Sequence, residues 1–586
     1  MVPTQPQHPT QPTPPQPVVS QRSWPGWLYA LVFTLLPIGA VAWAWWQGAV
    51  NVPKWDDHAL KGSLLLMEKT TSPPTWFRQV IAQHNEHRIA LDRLLAWADF
   101  SLFGKLSFTR LMVYGDLQLL LLVGVLGLML ARYTKPWYLF LPPVALFIIS
   151  LAQWENMYWA LSSIQNFGVV FWSLACLYTL AHRPKPWLAI GLAAVATLVS
   201  GNGFLVWPIG ILMLLAQHRR RDLLPWTVAA VLLIALYFWD YAMPNTHPPT
   251  RGNVLELAGG CLAFLGAAAE ALPISRPYLP SMLLGALLLL WWSLELVRSV
   301  GQVRSKAGLI SLQAFGFGAL AFLVGTALVV VWGRFGYGKD MLLTSRYRIY
   351  SLTLLALTYT YWLSMRYSRS TVFTKRAWQY ALGGLLVSGL LWWSAFRLNT
   401  HEAMALRKQL LISQYNWTYT HNTPTSAIDP TTARLIDNAP AFYDATLPHF
   451  FNPATGAAFP IDTLFKADNN YIIRLVATTV SPPTLPSLTN PDAGLNILLR
   501  SAKRTYLFGA RPRPHRNWRV LLGLLPLYPN NQPIEVAIPA GELDAGTYDL
   551  DVVQYGPDKP AGTVRPTTRL LTVAPHHSIT GPVKNW

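Results

Sequence analysis

Long apolar runs limit what this chain can fold into more than any other feature of its sequence. Several of these runs contain about 18 to 25 residues with almost no charged side chain, which is long enough for a helix to cross a hydrocarbon layer of roughly 30 Å. Of the 586 residues, 52% are hydrophobic and 12% are charged. Because only helices and closed barrels satisfy all backbone polar groups in lipid, we predict a mainly α-helical, polytopic membrane protein.

Basic residues indicate how the predicted helices are oriented. We place about eleven spans, near residues 25–47, 110–131, 136–153, 164–181, 186–200, 204–217, 223–243, 280–297, 308–332, 348–365 and 378–396. Lys and Arg cluster between alternate spans, as at Arg219 to Arg221, and such loops normally stay in the cytoplasm. The clusters also account for the net charge of +19, so we do not expect a nucleic-acid partner.

The same rule assigns the loops to the two sides of a bacterial inner (cytoplasmic) membrane. The N-terminus is predicted to be cytoplasmic, whereas the loops 48–109 and 333–347 and the whole chain after residue 397 are predicted to be periplasmic. The segment 253–272, NVLELAGGCLAFLGAAAEAL, is apolar, but a crossing there would place the next basic cluster outside. We therefore predict that it forms a re-entrant or interfacial helix at the outer face.

Composition divides the chain into four regions. Residues 1–24 are rich in Pro and Gln and are expected to form a disordered cytoplasmic tail before the transmembrane module at 25–396. Residues 397–464 are predicted to form a periplasmic connector that is helical at first and then irregular. In the region 465–586, a periplasmic β-sandwich domain is predicted by short stretches between turn signals, namely NYIIRLVATTV, GLNILLR, RVLLGLL, IEVAIPA and TYDLDVVQY.

The stretch IAQHNEHRIALDRLL, residues 81–95, concentrates titratable groups in the first outer loop. The apolar residues of this loop recur at nearly helical spacing, which predicts amphipathic helices along the membrane surface. On such a helix His84, His87 and Arg88 would share one face, and Glu86 would point elsewhere.

Two interpretations of these charges remain open. In the first, they only solvate the outer face of an amphipathic helix and form weak surface ion pairs. In the second, they join the acidic pair Asp56 and Asp57 to line a cavity at the membrane surface. There His and Arg would neutralise a substrate phosphate while a carboxylate acts as a base.

Several features resemble the GT-C class of membrane glycosyltransferases. An acidic pair after the first span, an outer loop of surface helices, about eleven spans and a terminal β-domain are typical of that class. The motifs QHNEHRIALDRL, QWENMYWALSSIQNF, SGNGFLVWP and GRFGYGKDMLLTSRYRIYS are similar to a bacterial family grouped with it. The resemblance covers about residues 25–396. It implies transfer of a sugar from a polyprenyl-phosphate carrier to a periplasmic glycan or glycolipid acceptor.

The resemblance also implies a mechanism and a set of site residues. Asp56 or Asp57, with a slight preference for Asp57, would act as base in an inverting direct displacement, and Glu86 is a further catalytic candidate. Arg346 and Arg348 are alternatively interfacial anchors for lipid headgroups, and Asn202 alternatively serves a tight turn. The residues expected to bind the lipid phosphate or the rest of the substrate are His84, His87, Arg88, Arg334, Arg346, Arg348, Glu155, Asn156 and Asn202.

The sequence leaves a metal and two other functions open. Acidic and His residues of the outer loop are suitable ligands for a divalent metal ion, but their spacing matches no known catalytic-metal signature. A transporter or flippase is one alternative to the enzyme, and a non-catalytic assembly factor for envelope glycans is another. Transporters usually carry repeats with broken helices, and we find no such repeat in this sequence.

Overall fold

A computed structural model describes residues 26–242, 252–304, 308–367, 375–420, 451–452, 457–475, 487–502, 505–510, 514–528, 534–555 and 562–575. The predicted tail at 1–24 and most of the connector beyond residue 420 lie outside the described residues. The described chain is mainly helical and ends in a smaller region of sheet, as the sequence predicts.

The helices occupy most of the chain up to residue 420. They are α1 Gly26–Gly48, α2 Asp57–Glu68, α3 Pro73–Ile81, α4 Ala90–Phe103, α5 Phe108–Tyr133, α6 Leu141–Ile148, α7 Trp154–Met157, α8 Ala160–His182, α9 Trp187–Val199, α10 Val206–Ala216, α11 Arg220–Phe238, α12 Val254–Leu265, α13 Tyr278–Arg304, α14 Ser311–Arg334, α15 Arg348–Arg366 and α16 Lys375–Thr420. A short helix, α17 Trp518–Leu521, follows in the C-terminal region.

Eight helical segments of the described chain are long and apolar enough to cross a membrane, which confirms the membrane-protein character. They are Gly26–Gly48, Phe108–Tyr133, Trp137–Met157, Ala160–His182, Arg220–Phe238, Tyr278–Gln302, Ser311–Tyr337 and Lys375–Asn416. Two further predicted spans correspond to the shorter helices α9 and α10, and a third corresponds to α15, which is not among the eight. The count of about eleven spans and the direction of insertion stay predictions.

Contacts between connecting segments define two ends of the helical bundle. At one end the basic loops meet, and Arg219 donates to the carbonyl oxygen of Pro184 at 3.3 Å. We call the other end the site end, because the outer loop contacts several interhelical connections there. The site end consists of the outer loop 49–107 and the connections 149–159, 200–205, 239–242 and 335–347.

The apolar segment 253–272 begins and ends at the site end. Near its start, Glu256 Oε1 lies 3.9 Å from Lys339 Nζ, in the connection after α14. Beyond α12, the amide of Ala268 donates to Ser351 Oγ at 2.9 Å in the first turn of α15. The two ends of the segment therefore lie on the same side of the bundle.

The outer loop differs from the predicted run of helices. α3 ends at Ile81, and the next residues form a hairpin of β1 Gln83–His84 and β2 His87–Arg88 before α4 begins. Asn85 at the tip has a φ of +50°, a left-handed conformation that asparagine tolerates and that a regular helix excludes. The expected continuous helix is therefore interrupted where the charged residues lie.

The hairpin changes which charged side chains share a face. His84 and His87 are partners across the hairpin. Arg88 follows His87 directly and so points to the opposite face, because side chains alternate along a strand. The prediction that His84, His87 and Arg88 share one helix face is therefore wrong.

α16 continues past the span end predicted near residue 396 into the connector, whose first part is predicted to be helical. It has 46 residues and is about 70 Å long at 1.5 Å per residue. Near its end, Ile412 and Tyr415 share an apolar core with Leu498 and Val553 of the C-terminal region. This packing stabilises the helix beyond its apolar part, so its length depends on tertiary contacts that hydropathy does not reveal.

Two sheets form the C-terminal region. Their strands are β3 Phe451–Asn452, β4 Ile461–Ala467, β5 Asn470–Leu475, β6 Gly494–Arg500, β7 Thr505–Gly509, β8 Ile534–Pro539, β9 Gly546–Tyr555 and β10 Gly562–Val573. One sheet has the order β3-β10-β9-β6-β7, and the other has the order β4-β5-β8. A single apolar core contains residues of both sheets, among them Ile473 and Ile497.

Two of the predicted strands show how tertiary packing changes a sequence pattern. β6, GLNILLR, is buried on both faces because α16 covers the face that the second sheet does not, which explains its nearly continuous apolar run. The stretch RVLLGLL is predicted to be a strand, but its first three residues belong to the short helix α17, so that prediction is wrong. Asn517 caps this helix by accepting a hydrogen bond from the amide of Arg519 at 3.0 Å.

A close crossing of α12 and α13 requires glycine. A Cβ atom at Gly285 would lie 2.0 Å from the carbonyl oxygen of Leu262, and one at Gly266 would lie 1.9 Å from the carbonyl oxygen of Ser281. Because both obstacles are backbone atoms, a larger residue could be accommodated only by moving the helices apart.

We expect the Gly285→Ala substitution to lower the midpoint of thermal unfolding in detergent by an amount equivalent to about 1–3 kcal/mol, because it separates α12 from α13. Gly301→Ala in the same helix is the matched control, since a Cβ there meets no atom within 4 Å. Alanine should leave stability unchanged or raise it slightly at that position. Equal midpoints for the two variants would contradict this helix crossing.

Candidate functional site

Asp57 is a buried anchor at the start of α2. Its side chain accepts hydrogen bonds from the amide of Lys54 at 2.9 Å and from the amide of Leu161, in the first turn of α8, at 2.8 Å. The residue is 0% exposed, and burial raises the pKa of Asp57 to about 7. Asp57 therefore fixes the outer loop to the N-terminus of α8 and is not accessible from outside.

Asp56 has a different environment from its neighbour. Its side chain is 42% exposed, and its Oδ1 lies 3.8 Å from Nε2 of His84 at the hairpin. Of the two adjacent carboxylates, Asp56 is thus the one that a substrate can reach.

Arg88 holds the hairpin against the end of α11. Its guanidinium donates hydrogen bonds to the carbonyl oxygens of Ile81, Tyr237 and Trp239. The residue is buried, and the three carbonyl groups satisfy donors on all its nitrogens. Arg88 therefore positions the hairpin, and its side chain is not free to bind a substrate phosphate.

His87, Glu86 and Arg334 form an ion cluster beside the hairpin. His87 Nε2 lies 3.5 Å from Glu86 Oε1, and Arg334 donates to the same carboxylate oxygen. The amide of Gly201 donates to His87 Nδ1 at 3.2 Å, which requires the ring to carry its proton on Nε2. Partial burial lowers the pKa of His87 to about 4, against the opposing effect of Glu86, so the ring is neutral at neutral pH.

A second ion cluster joins three segments of the site end. Lys54 Nζ lies 3.1 Å from Glu155 Oε1, and Arg346 Nε lies 3.5 Å from Glu155 Oε2. Lys54 also lies 4.6 Å from the ring centroid of Trp55 and 4.4 Å from that of Trp159. Burial lowers the pKa of Lys54, whereas Glu155 acts in the opposite direction.

Asn156 and Asn202 connect helices rather than facing solvent. The amide of the buried Asn156 side chain donates to the carbonyl oxygen of Arg346 at 2.9 Å, and its oxygen accepts from Ser162 Oγ at 2.7 Å. Asn202 donates to Thr326 Oγ1 at 3.2 Å and to Tyr350 Oη at 3.1 Å. Both asparagines therefore fix the geometry of the site end from within.

Arg348 is buried and fully bonded. It donates to the carbonyl oxygens of Leu343 at 3.2 Å and Ala152 at 2.9 Å, and it pairs with Glu270. Glu270 also accepts from Arg516 of the C-terminal region at 2.7 Å. Arg348 therefore belongs to the junction between the bundle and the C-terminal region, not to an open phosphate site.

The remaining charged residues of the site end divide into two groups of opposite sign. We call Asp56, His84, Glu86, His87 and Arg334 the acidic pole, because two carboxylates there face one arginine. We call Lys54, Glu155 and Arg346 the basic pole, because two cations there share one carboxylate. The two poles adjoin, since Lys54 and Asp56 are separated only by Trp55.

The structure thus brings together part of the predicted site and assigns the rest to other contacts. Asp56, His84, Glu86, His87, Arg334, Arg346 and Glu155 lie in the two poles. Asp57, Arg88, Arg348, Asn156 and Asn202 are buried and bonded inside the protein.

Lys54 and Trp159 also belong to this site, although neither is among the residues predicted from the sequence. The sequence does contain a signal for Lys54, because a lysine in a loop predicted to lie on the outer side of a membrane departs from the positive-inside pattern. Trp159 lies inside the motif QWENMYWALSSIQNF. Only the fold brings its ring close to both Lys54 and Arg346, whose guanidinium carbon is 5.4 Å from the ring centroid.

Among the residues that the structure describes, no three His, Cys, Asp or Glu side chains lie close enough together to hold a metal ion. No family model, curated protein or solved structure matches this chain. Assignment of a function therefore rests on the geometry of the two poles.

The raised pKa of Asp57 predicts a pH dependence of stability. The folded protein holds a proton up to a pH of about 7, whereas the unfolded chain loses it near its ordinary pKa of 3.8. Stability should therefore fall as the pH rises between those values, by up to about 1.4 kcal/mol per pH unit, and level off above them.

Thermal unfolding midpoints in detergent across this pH range provide the test. Asp57→Asn should lack this part of the slope, while Asp56→Asn, at an exposed position, should keep it. A slope in Asp57→Asn as steep as in the unmodified protein would show that Asp57 is not the responsible group.

Arg88 should matter for stability more than its charge alone suggests. We expect Arg88→Lys to destabilise the protein by about 2 kcal/mol or more, because one ammonium cannot reach all three carbonyl oxygens. Arg78→Lys, on the exposed face of α3, is the control and should change stability little. Unfolding midpoints that match for the two variants would argue against the Arg88 contacts.

Proposed function

We propose that this protein is a membrane glycosyltransferase that moves a sugar from a polyprenyl-phosphate carrier to a periplasmic glycan or glycolipid acceptor. The observation that carries the proposal is the adjacency of an accessible carboxylate and a cluster of cations, at Asp56 and at the basic pole. Displacement of a phosphate by a sugar hydroxyl needs both groups, because a proton must leave the nucleophile while negative charge grows on the leaving group.

Asp56 is the base in this mechanism, in place of the slightly favoured Asp57. An exposed carboxylate can accept a hydrogen bond from an acceptor hydroxyl, whereas the oxygens of Asp57 already accept two backbone hydrogen bonds. His84, 3.8 Å from Asp56, is close enough to orient the carboxylate after a small adjustment. The hydroxyl proton passes to Asp56 as the hydroxyl oxygen attacks the anomeric carbon.

Arg346 contacts and stabilises the departing lipid phosphate, and the buried Lys54 adds positive charge to the same cluster. The bond between the anomeric carbon and the phosphate oxygen breaks as the new glycosidic bond forms, so its electron pair stays on the phosphate. Arg346 can offer two parallel N–H groups to phosphate oxygens, and its side chain is 23% exposed. Glu155 neutralises only one of the two cations, which leaves net positive charge for the phosphate.

The other members of the acidic pole have a supporting part in the proposal. Glu86 is bonded to Arg334, so it is a less available base than Asp56, and it holds the hairpin that carries His84. The prenyl chain of the donor would remain in the bilayer beside the apolar helices, while its phosphate reaches the site end from the membrane surface.

The decisive measurement is release of polyprenyl phosphate by the full-length protein in lipid nanodiscs supplied with polyprenyl-phosphate-linked hexoses and pentoses and envelope glycan as acceptor. We expect Asp56→Asn to lower kcat at least about 100-fold, as for loss of a general base, without lowering the unfolding midpoint. Arg346→Gln should also lower kcat about 100-fold, because it removes charge stabilisation of the leaving group.

A matched control is Glu256→Gln, which alters an exposed carboxylate that pairs with a lysine at the same end of the bundle. It should leave turnover unchanged. Full turnover in Asp56→Asn would remove the assigned base. Donor movement across a vesicle bilayer without a glycosylated product would favour a flippase, and normal envelope assembly by an Asp56→Asn variant would favour a non-catalytic assembly factor.

A further inference from the structure

Trp55 has a backbone conformation that is unusual for its side chain. Its φ is +44°, in the left-handed region that bulky residues rarely adopt. The other non-glycine residues with positive φ in the described chain are Asn85, His218, Asp240 and Asp468, whose side-chain types tolerate this region. A glycine or asparagine would adopt this backbone conformation with less strain, so the turn itself does not account for a tryptophan at this position.

The contacts of Trp55 hold its ring without burying it. The rings of Trp55 and Trp159 meet edge to face with centroids 5.3 Å apart, and Lys54 Nζ lies 4.6 Å from the Trp55 centroid. Nevertheless, 49% of the residue remains exposed. The ring is thus fixed on the side of the basic pole and leaves the rest of its surface free for a ligand.

The position of Trp55 between the poles indicates which ligand that is. In a direct displacement the transferred sugar lies between the base and the departing phosphate. Lys54 of the basic pole precedes Trp55 and Asp56 of the acidic pole follows it, so the backbone of Trp55 joins the two poles while its ring contacts Lys54. The C–H groups of a pyranose or furanose face carry partial positive charge and are attracted to the negative face of an aromatic ring.

We propose that Trp55 is the stacking surface for the donor sugar, an assignment that rests on the proposed function and adds the contact that recognises the transferred group. The sugar lies against the indole with its anomeric carbon between Asp56 and Arg346. Trp55 thereby makes binding of the donor depend on the sugar itself, in addition to the phosphate and the lipid.

An ordinary membrane anchor is the alternative for an exposed tryptophan at this level. Interfacial tryptophans bind headgroups from regular helices and need no unusual backbone. Trp97 of the same loop lies in the regular helix α4, is 36% exposed and contacts Trp76 with centroids 5.4 Å apart. It therefore provides a matched control.

Binding to the full-length protein in nanodiscs tests the assignment without requiring turnover. The probes are citronellyl phosphates linked to glucose, galactose, mannose or arabinose, with citronellyl phosphate as the sugar-free reference. We expect Trp55→Ala to weaken binding of the preferred sugar-bearing probe about tenfold, as for loss of one stacking contact, and to leave the reference unchanged. Trp55→Phe should retain most of the affinity, and Trp97→Ala should retain all of it.

Stability provides a second, independent readout. Trp55→Gly relieves the positive φ, so its unfolding midpoint should equal or exceed that of the unmodified protein although the sugar affinity is lost. A lower midpoint with unchanged sugar affinity would assign Trp55 a purely structural role and overturn the proposal.

The remaining outcomes are also decisive. The proposal is overturned if Trp55→Ala binds every probe normally, if it weakens the sugar-free reference equally, or if no sugar strengthens binding to the unmodified protein. Sugar binding that depends on Trp55, combined with no transfer by the unmodified protein, would support the stacking surface and reject the transferase.

Discussion

Glu155 is the group on which the arrangement of the site end depends. Its carboxylate pairs with Lys54, 101 positions earlier in the chain, and with Arg346, while its amide donates to Ser345, 190 positions later. One residue of the short helix α7 therefore joins the outer loop to the segment before α15. Because a largely buried charge is tolerated only when it is paired, each partner requires the others to be in place.

The need of buried charges for partners distinguishes the charged residues that have a structural role from those that a substrate can reach. Arg88 and Arg348 are saturated by backbone carbonyl oxygens and a carboxylate, and Asp57 is saturated by two amides. Their burial would be strongly unfavourable without these bonds, so they define the shape of the site end rather than its chemistry. The groups left for chemistry are those whose pairing is incomplete or exposed, such as Asp56 and Arg346.

The C-terminal region is part of this arrangement and not an independent appendage. Glu270 pairs with both Arg348 of the bundle and Arg516 of the C-terminal region. The end of α16 also bonds to the edge strand β7, where Asn416 both donates to the carbonyl oxygen and accepts from the amide of Leu507. Movement of the two sheets would therefore disturb the contacts of Arg348, which follows Arg346 of the basic pole by two positions.

The sequence by itself determined the membrane character, the site end and the broad division into helices and strands. Apolar runs and loop charges decide these features, since transfer of side chains into lipid is a property of each segment alone. Glu155 and Arg346 can be predicted as site residues from the sequence for a similar reason, because charged side chains at helix ends near a membrane need partners.

Only the tertiary structure decided which charged side chains pair with each other. The hairpin in the outer loop depends on the left-handed backbone conformation of Asn85, and the C-terminal part of α16 depends on its packing against a sheet. The short helix at the start of RVLLGLL depends on a capping side chain. None of these causes changes the hydropathy pattern. Asp56 and Asp57 are adjacent and chemically identical, yet one is exposed and the other is buried. That difference depends on the position of the Leu161 amide in α8, which is more than 100 positions away in the chain.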